Sequence, residues 1–146
     1  MISPRSAKVL QNQIQRSGRS LLQYTTESFP YTSSSRDSEV VKKFTEMAEE
    51  ETKQNAALAT FLRANRYAAP HFGAYPMHFT TMNYLGIDRL LVLIAEHQTE
   101  DIKHLEAAIQ EVKESEAKAP LRNALAAKQA HLKAIEELIA VRVTAE

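Results

Sequence analysis

The chain predicts an all-α fold, a four-helix bundle made of two antiparallel hairpins joined by a long crossover. Three observations carry that expectation. Four segments place apolar residues at helical spacing, and three glycines in 146 residues are too few for a turn-rich β architecture. Short links join the first segment to the second and the third to the fourth, while a longer, aromatic-rich link separates the hairpins. With 44% hydrophobic residues, the chain can bury a substantial core as one domain over residues 1–146.

The first predicted helix covers about residues 3–28, with Ser3 as cap, Pro4 in the first turn, and Leu10, Ile14, Ser17, Leu21 and Tyr24 along one face. It ends near Ser28, before Phe29-Pro30-Tyr31. The run Thr32 to Ser35 is a loop, and Ser34 with Asp37 has the spacing of a capping box. The second helix, about 36–66, presents Val40, Phe44, Met47, Glu51, Leu58 and Leu62. Residues 67–80 form the crossover, where two prolines and a glycine break the period and Tyr67, Phe72, Tyr75, Met77 and Phe79 call for packing on protein. A helix of about 28 residues is ~42 Å long. A link of roughly 13 to 16 extended residues can travel that far, so the second and third helices are free to run parallel. The third helix covers about 81–114, and the fourth about 119–143, with Pro120 in its first turn. Gly18 permits a close helix approach at a cost of about 1 kcal/mol relative to alanine.

Several function classes are excluded or disfavoured by composition. There is no cysteine, so disulfides, thiolate metal sites and cysteine nucleophiles are ruled out. Eighteen basic and 18 acidic side chains balance, so no global field favours nucleic acid or an anionic membrane. The longest aliphatic run, Leu90 to Ala95, is far short of the roughly 20 residues of a membrane span, and no apolar leader follows Met1; a cytoplasmic location is expected. The charge is nevertheless uneven. No acid precedes Glu27, whereas Arg5, Lys8, Arg16 and Arg19 lie in that segment; pairing with acidic neighbouring helices is the favoured account, and a phosphate-binding face is the alternative.

The helical stripes are interrupted by polar residues. At about 100° per residue, Glu51 projects into the centre of the second helix's stripe, with Gln54 and Asn55 flanking it. Lys128 projects inward among Leu121, Leu125, Leu132 and Leu138, with His131 at the stripe's edge. Gln98 interrupts Ile87, Leu91, Ile94, Ile102, Leu105 and Ile109, with Asp101 beside it. Charged groups rarely enter a core without a partner or a function.

Paired polar residues at i and i+3 on the second and fourth helices, within a hairpin-crossover-hairpin plan, resemble the ferritin-like superfamily and its rubrerythrin-like bundles. That resemblance implies a di-iron or di-manganese site built from Glu-x-x-His on those two helices and single glutamates on the others. Here Glu51 keeps one carboxylate while Gln54 stands where the imidazole would be; His131 keeps an imidazole while Lys128 stands for the carboxylate. The first helix offers no carboxylate before Glu27, and the third offers Glu96 or the better-placed Gln98. An ammonium carries positive charge into the space the metals would occupy. Lys128 is therefore expected to substitute for the metal and pair with Glu51, helped by Gln98, Gln54 and Asp101. The alternative for Lys128 is to reach the surface on its flexible stem.

Other residue sets compete with this layer. His97, Asp101 and His104 recur at i, i+4 and i+7, ligand types suited to zinc or iron, with His131 as a further ligand, although that face is offset toward solvent. His71 and His78 are expected to orient the crossover, and Glu46, Glu49 and Glu50 to form a solvated face. No phosphate loop, nucleophile elbow or Ser/His/Asp spacing is present. The expectation is a bundle without di-metal catalysis or cofactor that serves as a structural or partner-binding protein, a homodimer through helical faces or the aromatic crossover. The alternatives are a metal-binding protein or metal-dependent oxidoreductase that holds iron, manganese or zinc through Glu51, Glu96, His97, Asp101, His104 and His131, and a binder of small apolar ligands.

Overall fold

Serine and glycine set most of the helix boundaries. In a computed structural model describing residues 1–28, 30 and 32–144, Ser3 accepts a hydrogen bond from the Ser6 amide and opens helix α1, Pro4–Gly18. Ser20 accepts from the Gln23 amide and opens α2, Leu21–Glu27. The expected single helix over 3–28 is thus broken at Arg19. Gly18 is a weak helix former and Ser20 a strong N-cap, and the Phe72 ring fills the break: a Cβ on Gly18 would lie 2.4 Å from two of its ring carbons. The close approach is made by the crossover and not by another helix. Phe29 and Tyr31, expected to mark the helix end, lie outside the described residues.

Helix α3, Ser35–Ala64, is capped by Ser34, whose hydroxyl accepts from the Asp37 amide. Asp37 turns back to accept from the Ser33 amide and hydroxyl. The helix stops two residues before the expected 66, because Arg66 adopts φ 66° and the Tyr67 amide donates to the Leu62 carbonyl, a closing bond typical of left-handed C-terminal caps. Residues 81–86, expected to be helical, divide between a 3₁₀ helix, Met77–Tyr84, and the Gly86 cap of α4, Ile87–Glu111. The 3₁₀ segment inserts Phe79, 3% exposed, into the core. Helix α5, Ser115–Thr144, begins before the expected 119, so Pro120 sits beyond the first turn, where it cannot donate to Glu116. Among the described residues there is no strand, and no helix is long and apolar enough to cross a membrane.

Contacts at the helix ends fix the directions. The Ile2 amide donates to Asn65, and the Ser3 amide and Ser6 hydroxyl donate to Glu114, so the start of α1 meets the ends of α3 and α4. At the opposite end, Arg142 of α5 binds both Asp37 at the start of α3 and Asp88 at the start of α4. Helices α3 and α4 therefore run parallel, and α5 is antiparallel to both. In cross-section, α1 packs on α3 and α4, each of which packs on α5.

The core falls into two apolar clusters. One gathers Leu10, Ile14, Leu58, Leu62, Leu105 and Leu121 with their neighbours. The other gathers Leu22, Phe44, Phe79, Leu91, Ile94 and Ile135 with theirs. Along every long helix the residues between the clusters are polar: Ser17 after Ile14, Glu51 and Asn55 before Leu58, Gln98 after Ile94, Lys128 before Ile135. This polar plane is the feature the fold positions most deliberately.

Candidate functional site

Glu51 stands at the centre of the plane because α3 carries it on the same face as Met47 and Leu58. Both of its oxygens are engaged. Oε1 accepts from Lys128 Nζ at 2.7 Å, while Oε2 accepts from Gln98 Nε2 at 3.0 Å and meets His131 Nδ1 at 2.7 Å. A carboxylate is an acceptor only, so the His131 contact requires Nδ1 to carry a proton. Lys128 and His131, three residues apart, share one face of α5. Asp101, three residues after Gln98 on α4, lies 3.5 Å from Lys128 Nζ. The Lys128 and Glu51 side chains are 3% and 2% exposed, so water does little of their solvation.

The two carboxylates respond to this setting in opposite ways. Burial pushes the Glu51 carboxyl up, but hydrogen bonding from His131 and the charge of Lys128 outweigh it, and the group is held below the usual glutamate range. For Asp101 burial dominates and the negative charge of Glu51 adds to it; Lys128 and Arg16 oppose, and the carboxyl stays above the usual aspartate range. The single ammonium thus secures the charge of Glu51 first.

Further polar residues complete the plane. Gln13 on α1, 3% exposed, donates to Ser17 at 3.0 Å, and Asn55 donates to the Ile14 carbonyl at 3.0 Å. Two acceptors, Gln98 Oε1 and Asn55 Oδ1, are buried with no hydrogen-bond partner. Gln13 was not expected in the plane; its signal was a glutamine one turn before Ser17 on the apolar stripe.

Two residues expected at the site are elsewhere. Gln54 does not reach the polar plane: three residues past Glu51 it has rotated off the face, and its Nε2 donates to Glu50. Glu96, two residues before Gln98, points away from the core and is exposed. His97 packs its ring edge on Phe79, 5.5 Å between centroids. His104 is exposed in a separate cleft with Arg5 and Lys8. The i, i+4, i+7 set on α4 is therefore dispersed, because Asp101 turns inward to Lys128 while the histidines flank it. Among the described residues no group of three or more His, Asp or Glu side chains is placed to hold a metal ion. Glu46 and Glu49 are exposed, His71 contributes its carbonyl to Gln15, and His78 packs on Phe79.

Two clefts lead from solvent to the plane, one on each side of the α1–α2 break. One, of about 440 Å³, reaches Glu51 and Asn55 beneath Phe72. The other, of about 560 Å³, reaches Asp101 and is walled by Arg16, Arg19, His78 and His97. Its Arg16 and Arg19 belong to the basic segment before Glu27, for which a phosphate-binding face was the alternative reading, while the histidines opposite them were not anticipated from the sequence. Comparison of the chain with protein-family models, with curated proteins and with solved structures gives no match.

Proposed function

We propose that this chain is a ferritin-like four-helix bundle, with α1 and α2 as one bent member, in which an ammonium replaces the metal centre and which acts without catalysis as a structural or partner-binding protein. The observation that carries the reading is Lys128 Nζ at 2.7 Å from Glu51 Oε1. A di-metal site would need that carboxylate, and its oxygens are already committed to Lys128, His131 and Gln98. A cation entering between Glu51 and Asp101 would meet a fixed positive charge in a medium of low dielectric, where repulsion is strong. The residues present do not fit a metal centre.

The partner proposed is a second copy of the chain. A groove of about 440 Å³ between α3 and α5 is floored by Met47, Leu138 and Val141 and rimmed by Lys43, Glu46 and Glu137. Charges of both signs on one rim suit a two-fold contact, in which each patch meets its own copy.

Elemental analysis after anaerobic exposure to iron, manganese and zinc in turn tests the first part. Less than a tenth of an equivalent of metal is expected in the native chain, with the same melting temperature before and after chelation. Stoichiometric metal lost on replacing His131 or Glu51 would reverse the reading in favour of a metalloprotein. Sedimentation equilibrium tests the second part: a dimer that Val141→Glu dissociates is expected, and a monomer at all concentrations refutes it.

A further inference from the structure

We infer that the cleft between α1, the crossover and α4 is a binding site for a small oxyanion, a phosphate or carboxylate group. Its volume, about 560 Å³, lies in the range of small-molecule sites, and its walls bring two guanidinium groups and two imidazole rings together from three elements. Arg16 and Arg19 come from the α1 end, His78 from the 3₁₀ helix and His97 from α4.

These groups are left uncommitted by the fold. Among the described residues neither arginine forms an ion pair. Arg19 is held in place all the same. Its Nε and Nη1 donate to the carbonyls of Gly73 and Gly18, and the guanidinium lies 4.9 Å and 4.6 Å from the ring centroids of Phe72 and Tyr75. Five donors on a planar fork with two used leave three for a ligand, and a fixed orientation lowers the entropy lost on binding. Arg16 is exposed at the mouth, and no ring nitrogen of His78 or His97 has a hydrogen-bond partner among the described residues. Arginine is the residue best matched to planar, bidentate recognition of phosphate and carboxylate oxygens.

Asp101 at the floor is the one acidic wall among the described residues. It faces Lys128 at 3.5 Å, and that ammonium offsets its opposition to an incoming anion. Ala74 and Pro76, both exposed, supply an apolar side against which the remainder of an organic anion would rest.

The test is a titration followed by histidine ring resonances in NMR at fixed pH and ionic strength, with inorganic phosphate and succinate as separate probes and His71, outside the cleft, as internal control. Saturable shifts of His97 and His78, with His71 unmoved, are expected for at least one probe; the tighter of the two identifies the oxyanion class. Arg16→Gln should weaken that binding at least tenfold, and Arg16→Lys should restore part of it. Arg16 is exposed and forms no ion pair within 4 Å among the described residues, so its variants are expected to fold, and unchanged amide spectra will show it. Absence of saturation with both probes, or saturation that survives Arg16→Gln unchanged, overturns the inference and leaves the metal-free bundle untouched.

Discussion

Lys128 on α5 and Glu51 on α3 face each other at 2.7 Å with almost no solvent around either. The pair is therefore governed by what each group would lose without the other. Desolvation of two charges consumes most of their attraction, so such a pair adds little over a well-packed apolar contact, yet removing one member strands the other.

Replacing Lys128 with Met should cost about 3–5 kcal/mol in urea unfolding, because Glu51 remains buried with only His131 and Gln98 as partners. Adding Glu51→Gln should recover part of that loss. Single variants that both retain full stability would show that the pairing contributes nothing to the folded state.

Glu51 and Asp101 predict opposite pH trends. The Glu51 carboxyl is depressed, so its contribution is present above the unfolded value near 4.5 and is lost as pH falls through the lower folded value. The Asp101 carboxyl is raised above 3.8, so the folded state prefers it protonated and a penalty develops as pH rises past 3.8 toward the folded value. Asp101→Asn should therefore become more favourable, relative to the native chain, as pH rises from 3 through 3.8 to the folded value, and level off above it, in equilibrium unfolding. A constant difference across that range would remove this account of Asp101.

Glu114 fastens the start of α1 by accepting from the Ser3 amide and the Ser6 hydroxyl, the latter at 2.6 Å. Those bonds, that to Ser6 foremost, pull its carboxyl down to about 2. Its contribution is complete above the ordinary value of 4.5 and disappears as pH falls through about 2. Hydrogen exchange of the first turn of α1 should accelerate over that interval, and Glu114→Ala should show the fast rate already at neutral pH.

Gly18 and Phe72 should be coupled. A methyl group at Gly18 would displace the Phe72 ring, whose nearest carbon lies 2.4 Å from the Cβ position, so Gly18→Ala should destabilise the native chain. In a Phe72→Ala background the clash is gone, and the same change should stabilise by up to about 1 kcal/mol through helix propensity. Equal effects in the two backgrounds would place Phe72 elsewhere.

The helical class and the inward direction of Glu51, Gln98 and Lys128 were legible because a charged or amide side chain among leucines and isoleucines stands out at helical period. Periodicity was a poorer guide where two faces lie close together, and Gln54 was misassigned by a rotation of about 60°. The break at Arg19 was hidden because Leu21 and Tyr24 keep roughly the phase of Ile14, although Gly18 and Ser20 carried the stop and start signals. Of the oxyanion cleft only the basic wall before Glu27 could be read along the chain. His78 is separated from Arg16 by two helices and the crossover, and only the parallel course of α3 and α4 returns the crossover to the α1 side.

That polar plane also works as an alignment key. Leucines and alanines recur at successive turns of α5 and their contacts are non-directional, so apolar packing alone discriminates less sharply between registers than a charge pair does. A slip of one turn would set Ala124 or Leu132 against Glu51 and carry Lys128 into hydrocarbon, leaving two stranded charges. The buried ion pair thus selects one axial position of α5, a service to uniqueness that a measured melting temperature would not reveal.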